Sequence, residues 1–361
     1  MVDLTELLRY TVEQQGSDLH VKVGSPPHVR VDGKLVVAPF ERVSAEDAER
    51  MAFGIMPNDR ADEFVQTAEA DFALGISGLG RFRVNVFRQR GSVGLVFRRV
   101  LPGIPSFESL GLPPVVRRLA DEQRGLVLVT GPTGSGKTTT IAAMIDHINE
   151  TRAVNIVTVE DPIEVLHVDK QAIVNQREIG TDTADYVMAM KRVLRQDPDV
   201  IFIGEMRDPE TVWAALSAAE TGHLVLSTLH TTNAVETVNR IVDFFPPFQQ
   251  KQVRLSLASS LRGVISQRLL ERSAGGGRVP SLEVLVMTGR IFDRIVEPER
   301  GGNDTIEEII ADGEYYGMQT FDQSLFALFK NGLVDLHSAM ATASNPHDFR
   351  VSLQQAGLLP V

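Results

Sequence analysis

The 361-residue chain has no cysteine, which excludes disulfides, thiolate zinc sites and cysteine nucleophiles. Any metal must therefore be held by oxygen or imidazole. Long apolar runs are missing as well: none approaches the roughly 20 residues that a helix needs to span a bilayer. The N-terminal MVDLTELLRY is acidic and amphipathic, unlike a signal peptide, so a cytoplasmic protein is expected. Positive charge is in deficit, with 36 Lys and Arg against 47 Asp and Glu and a formal net charge of −11. Non-specific affinity for duplex nucleic acid comes from phosphates neutralised by clustered Lys and Arg, so a DNA motor is demoted and no nucleic-acid partner is expected. A hydrophobic fraction of 43% and a charged fraction of 23% are ordinary globular usage and argue against disorder and coiled coil. The length predicts two or three domains, with two as the default.

Residues 1–100 read as a small α+β unit. The alternating HVKV and HVRV near positions 20 to 31 predict strands, DGK a tight turn, and Ser44 with Asp47 three residues on a helix start. The run from Arg81 to Val100 predicts two strands joined around Gly91. Alternation puts Phe82, Val84 and Val86 on one face and Arg81, Arg83 and Asn85 on the other. Between 101 and 114 the composition turns to LPGIPSFESLGLPP, whose prolines and glycines interrupt helical and strand ladders, and this predicts an interdomain linker. Beyond it GLVLVTG, NIVTVED, DVIFIGE and HLVLSTLH are short apolar runs ending in polar clusters. They predict strands buried on both faces of a parallel sheet, and so a doubly wound α/β domain over 115–361. From Asn233 onward helical periodicity dominates, broken at FFPPF, at AGGGR and by one more strand in VPSLEVLVM.

The segment GPTGSGKT, Gly131 to Thr138, matches G-x-x-x-x-G-K-[ST] in its required setting, after a strand and before a helix. Backbone N–H groups from Gly131, Pro132 onward through Thr133, Gly134, Ser135 and Gly136 can wrap phosphates, proline itself lacking a donor. Lys137 reaches the β- and γ-phosphates, the Thr138 hydroxyl ligates Mg²⁺, and Thr139 follows on the same helical turn. The site thus predicts ATP with Mg²⁺. The run DPDVIFIGEMRD ends its strand at Glu205, where ligands gather in open α/β sheets, and predicts a Mg²⁺- or water-directing carboxylate. Glu160, Asp161 and Glu164 lie just past another strand end. Three carboxylates near one phosphate site need a cation or protons, and Glu160 and Asp161 read equally as capping groups before Pro162. Either Glu164 or Glu205 can direct the attacking water while the other helps hold Mg²⁺. His223 and His230 bracket LVLSTL, up to roughly 23 Å apart if extended, so only one can sense the γ-phosphate. His230, at the carboxyl end, is the better placed. Arg81 and Arg83, with Arg88 weaker, are candidate arginine fingers, a solvated basic face on an edge strand being the alternative.

The residues GPTGSGKTTT, TVEDPIE, RQDPDVIFIGEMRDPET and TGHLVLSTLHTT, in that order and spacing, resemble the secretion ATPase superfamily, on its pilus-retraction branch. SDLHVKVGSPPHVRVDG, RFRVNVFRQRG, VNQRE and GMQTFDQSL extend the resemblance over nearly the whole chain. It implies a PAS-like N-terminal domain, a RecA-like P-loop NTPase domain with a helical C-terminal part, and a ring homo-hexamer. It makes Gly131 to Thr138 the Walker A motif, Thr158 to Glu164 the Asp box, Asp199 to Glu205 Walker B and Thr221 to His230 the His box. Arg81, Arg83 and Arg88 would meet nucleotide at the ring interface. The ring would act on a PilC-like inner-membrane platform protein, peripheral to the membrane. Within the superfamily, a single compact domain before the motor and the absence of a four-cysteine zinc motif favour the retraction branch over pilus extension and type II secretion ATPases. One departure is local: where retraction ATPases usually carry AIRNLI, this chain has TGRIFDRIVE, Thr288 to Glu297. It keeps Ile291, Ile295 and Glu297 in register and puts Phe292 at the usual arginine position. This bears on coupling to pilus disassembly rather than on hydrolysis.

Overall fold

The structure is a computed structural model and describes residues 3–31, 33–100, 103–298 and 304–360. Asp32 of the expected DGK turn, and Leu101 and Pro102 of the expected linker, lie outside the described residues. The chain divides into two compact units, Met1–Gly103 with Glu164–Leu166, and Ile104–Ile163 with His167–Val361.

The first unit is built on strands β1 (Asp18–Lys22), β2 (His28–Val31), β3 (Lys34–Val37), β4 (Glu69–Ile76), β5 (Gly80–Gln89) and β6 (Ser92–Arg99). They form an antiparallel sheet in the order β3-β2-β1-β6-β5-β4. Phe82, Val84 and Val86 are buried, as the alternation along β5 requires, and Arg81, Arg83 and Asn85 take the other face. Ser44 caps the helix Ala45–Ile55, its hydroxyl accepting from the Asp47 backbone N–H at 3.0 Å. Strand β5 lies between β6 and β4, so its basic face is not that of an edge strand.

The second unit carries β7 (Gly125–Thr130), β8 (Asn155–Glu160), β9 (Ile173–Glu178), β10 (Val200–Ile203), β11 (Leu224–Leu229), β12 (Leu261–Glu271) and β13 (Arg278–Val286). Their order is β13-β12-β7-β11-β10-β8-β9, parallel except for β13. Every residue of β7, β10 and β11 is buried, which is why these runs are continuously apolar rather than alternating. Helices cover both faces. On one, Val116, Leu119, Met144 and Ile148 pack on the sheet; on the other, Val212, Leu216, Ile241 and Leu257 do so. A C-terminal helical part with its own core around Leu325, Phe349 and Leu353 completes the unit. Among the described residues no helix is long and apolar enough to cross a membrane.

Two expectations are corrected. Residues 104–114 are not a linker: they carry the short helix Phe107–Leu110, whose Phe107 is buried in the second unit's core, and Pro114 opens the next helix. Pro114 stands at the first helical position, where a missing N–H costs nothing. Leu261–Glu271 is not helical. Its apolar residues Leu261, Val264, Ile265 and Leu269 have helix-like spacing, but the segment pairs with β7 on one side and β13 on the other, and tertiary pairing overrides local periodicity.

Candidate nucleotide site

Parallel pairing of β7, β11, β10 and β8 brings four chain segments out at one edge: the P-loop after β7, Asp161 after β8, Glu205 after β10 and His230 after β11. Side-chain hydrogen bonds lock the strand ends together, Ser227 Oγ donating to the Ile203 carbonyl at 2.8 Å and Thr228 Oγ1 to that of Gly204 at 2.6 Å. Gly204, interposed before Glu205, is required by packing: a Cβ there would lie 2.9 Å from the Tyr186 hydroxyl and 3.3 Å from the Val159 carbonyl oxygen. Burial, with the neighbouring Asp161 carboxylate, pushes the Tyr186 phenol well above its ordinary range.

The P-loop enters the helix Lys137–Thr151 through Gly136, whose φ of 90° favours glycine, and no side chain caps that helix. Its first N–H groups are left for an anionic ligand. Lys137 is buried, its Nζ donating to the carbonyls of Gly131 at 2.7 Å and Pro132 at 3.1 Å. The buried Ser135 hydroxyl has no hydrogen-bond partner among the described residues. Gly131 (φ 143°) has no room for a side chain, since a Cβ would lie 2.4 Å from the Gln267 carbonyl oxygen. Gln267 and Arg278 are the residues that sequence reasoning missed here. Gln267 Nε2 donates to the Ser135 carbonyl at 2.7 Å, and Arg278 Nη1 to that of Gly134 at 3.3 Å. Both sit on the β12–β13 hairpin, whose first strand read as helix, so no signal pointed to them.

Glu205 meets His230: His230 Nε2 lies 3.2 Å from Glu205 Oε1. Arg207, two residues on, donates from Nε and Nη2 to Glu205 Oε2 at 2.9 and 2.8 Å, and its Nη1 is 3.8 Å from Asp161 Oδ2. Nothing in the GEMRD run itself distinguishes Arg207 from a solvated basic residue. Glu205, Arg207, His230, Glu236, Arg240 and Phe244 line a cleft of about 370 Å³. Glu160 is buried and held by Thr158 Oγ1 at 2.6 Å and Gln176 Nε2 at 3.1 Å.

His223 lies apart from the P-loop. His223 stands at the start of β11, the opposite edge of the sheet from His230, and its Nδ1 is 2.9 Å from the Ala218 carbonyl in the turn that ends the preceding helix. Within the first unit Arg83 Nη1 is 3.7 Å from Glu164 Oε1. Arg88 there is 3.7 Å from Glu49 and stacks over Phe64, 5.2 Å from the ring centre.

Residues 106–295 match the family described as type II/IV secretion system protein. The chain is 43% identical over 348 residues to the type IV pilus retraction ATPase PilT of Pseudomonas aeruginosa, covering 96% of this chain and 100% of that protein. The chain belongs to the type II/IV secretion system protein family. The type IV pilus ATPase PilU of the same organism is 39% identical over 353 residues, 98% of this chain and 92% of that one. A crystal structure of the pilus retraction motor PilT with bound ADP superposes with a TM-score of 0.87 at 45% identity, covering 96% of this chain and 99% of that chain. The expected architecture, an N-terminal sheet domain followed by a parallel-sheet ATPase domain with helices at its C-terminus, is the architecture found. In the departing stretch, the helix Gly289–Val296 is capped by Thr288, buries Ile291 and Ile295 fully and packs Phe292 against the same core. The isoleucines kept in register are those that anchor this helix.

Proposed function

We propose that the chain is an ATP-hydrolysing motor that works as a ring hexamer and powers retraction of a type IV pilus. One observation carries this reading: a P-loop with an uncapped helix start shares a sheet edge with Glu205 and His230, in a chain related to PilT over nearly its full length. In this reading the N–H groups of the P-loop and Lys137 bind the phosphates of ATP. Glu205, steered by Arg207 and His230, directs the water that attacks the γ-phosphate. Glu164 is the alternative base, and Glu160 fixes the strand end beside it. Mg²⁺ has hard oxygen donors available in Thr138 and Glu205. An ion of this kind keeps several waters and is held mainly by phosphate oxygens. When bound, it would neutralise charge on the β- and γ-phosphates. Arg81 and Arg83, with Arg88 less directly, would supply positive charge to nucleotide at the ring interface. The ring would work at the inner face of the membrane through a PilC-like platform protein.

The test is ATP turnover against protein concentration, beside the mass of the oligomer, for the wild type and for Arg81→Ala mixed with Glu205→Gln. Turnover that rises with hexamer formation, and that partly returns when two inactive variants are mixed, supports shared sites. A monomer that binds ATP and hydrolyses none at any concentration would instead make the chain a nucleotide-dependent switch. Phe292, at a position where retraction ATPases usually carry arginine, favours a second reading in which hydrolysis is intact and the output is pilus extension or modulation of another motor. Restoration of twitching in a retraction-deficient strain separates the two.

A further inference from the structure

Gln267 makes more use of its amide than any residue expected from the sequence to serve the P-loop. It is 3% exposed, and both ends of the amide are occupied. Its Oε1 accepts from Thr140 Oγ1, on the first turn of the helix Lys137–Thr151, at 2.8 Å, and its Nε2 donates to the Ser135 carbonyl at 2.7 Å. The acceptor-only carbonyl of Ser135 fixes which way the amide is turned, and the Thr140 hydroxyl donates accordingly. The position of Gln267 is fixed in turn by its own strand: the preceding residue, Ser266, pairs with Thr130 in the β12–β7 register and accepts a hydrogen bond from its Oγ1 at 3.0 Å. The loop is shaped to this side chain. A Cβ on Gly136 would lie 2.6 Å from Gln267 Nε2, as one on Gly131 would collide with its carbonyl oxygen.

The Ser135 carbonyl and the Gly136 N–H belong to one planar trans peptide, in which they point in opposite directions. A donor that holds the carbonyl from the sheet side therefore turns the Gly136 N–H away from the sheet, toward the space a phosphate would enter. We propose that Gln267 is a positioning residue for nucleotide binding, which holds the P-loop in its phosphate-accepting form before the nucleotide arrives. This rests on the P-loop being the nucleotide site. Without the brace the loop would be ordered by the nucleotide itself, and the loss would appear in affinity.

The experiment compares wild type, Gln267→Met (similar length, no amide) and Thr140→Val (amide retained, its anchor removed). The readouts are the Kd for the fluorescent nucleotide mant-ADP, KM and kcat for ATP, and thermal unfolding without nucleotide. Gln267→Met is expected to raise Kd and KM about tenfold, the scale of one or two buried hydrogen bonds. kcat should move far less, and the nucleotide-free unfolding temperature should move by no more than about 2 °C. Thr140→Val should raise Kd about threefold in the same direction. A merely structural role predicts the reverse, a lower unfolding temperature with unchanged Kd, and that result overturns the inference. If Gln267→Met does not fold, Thr140→Val decides, and an unchanged Kd overturns it. Wild type that binds no mant-ADP overturns the nucleotide-site reading along with it, whereas wild type that binds, beside variants that bind equally well, overturns the role of Gln267 alone.

Discussion

The P-loop and the Glu205–His230 cleft open at the ends of neighbouring strands, yet one is held by buried groups and the other by exposed charges. Around the P-loop, Lys137, Ser135 and Gln267 are buried, and Lys137 Nζ and Gln267 Nε2 donate to backbone carbonyls. In the cleft, the side chains of Arg207 and His230 are 59% and 50% exposed, and they pair with a Glu205 carboxylate that has both oxygens engaged. Exposed ion pairs are weak and exchange readily. On the proposed function, the binding half of the site is formed in advance, while the reacting half is arranged by exposed contacts that a ligand can replace.

The comparison is most directly broken at Lys137. Lys137→Ala is expected to lower turnover by at least about 100-fold and to abolish nucleotide binding together with it; retained binding in a fluorescence titration would mean the P-loop is not the binding half. Glu205→Gln should lose a similar factor in single-turnover rate while keeping its affinity for ATP, whereas Arg207→Gln, which only steers the carboxylate, should lose about tenfold. Affinity lost in step with rate would merge the two halves. A smaller effect is expected from Gly204→Ala, which drives a methyl against the Tyr186 hydroxyl: about 1–3 kcal/mol of stability, partly restored by adding Tyr186→Phe, read by urea unfolding.

A pH measurement sharpens the same contrast. Glu283 on β13 accepts from the backbone N–H of Ala234, which begins the helix that follows the His box, at 2.7 Å. Burial raises its carboxyl from the usual 4.5 to about 7, only partly offset by that hydrogen bond. The raised value means that its contribution to stability is fully present below pH 4.5 and is lost as pH rises through about 7. Glu283→Gln, which keeps an acceptor for Ala234, should be more stable than wild type at pH 8 by about 1–3 kcal/mol and little different at pH 4.5. Parallel stability curves for the two proteins would refute this. The smallest effect is expected at His223, on the far edge of the sheet, where alanine should change turnover less than about twofold.

Legibility from sequence followed the range of the forces involved. Strands β7, β8, β10 and β11 were readable because burial on both faces leaves a continuous apolar run, and the P-loop because its glycines, lysine and threonine serve one local purpose. Alternation along β5 gave the buried face and the basic face correctly. Strand β12 was hidden, since a segment with helix-like apolar spacing becomes a strand only when two partners are present to pair with it. Gln267 was hidden with it, 132 residues from the carbonyl it holds.

By itself, then, the sequence determined the parallel-sheet motor, its P-loop, and the carboxylates and histidine at the strand ends, because each follows from local hydrophobic pattern or short-range backbone chemistry. Only the tertiary structure decided which of those groups meet: Glu205 with His230 and Arg207, Arg207 with Asp161, Arg83 with Glu164, Gln267 with Ser135, and His223 with none of them. Strand order and direction set these meetings, and pairing between segments far apart in the chain is settled by the packing of the whole sheet.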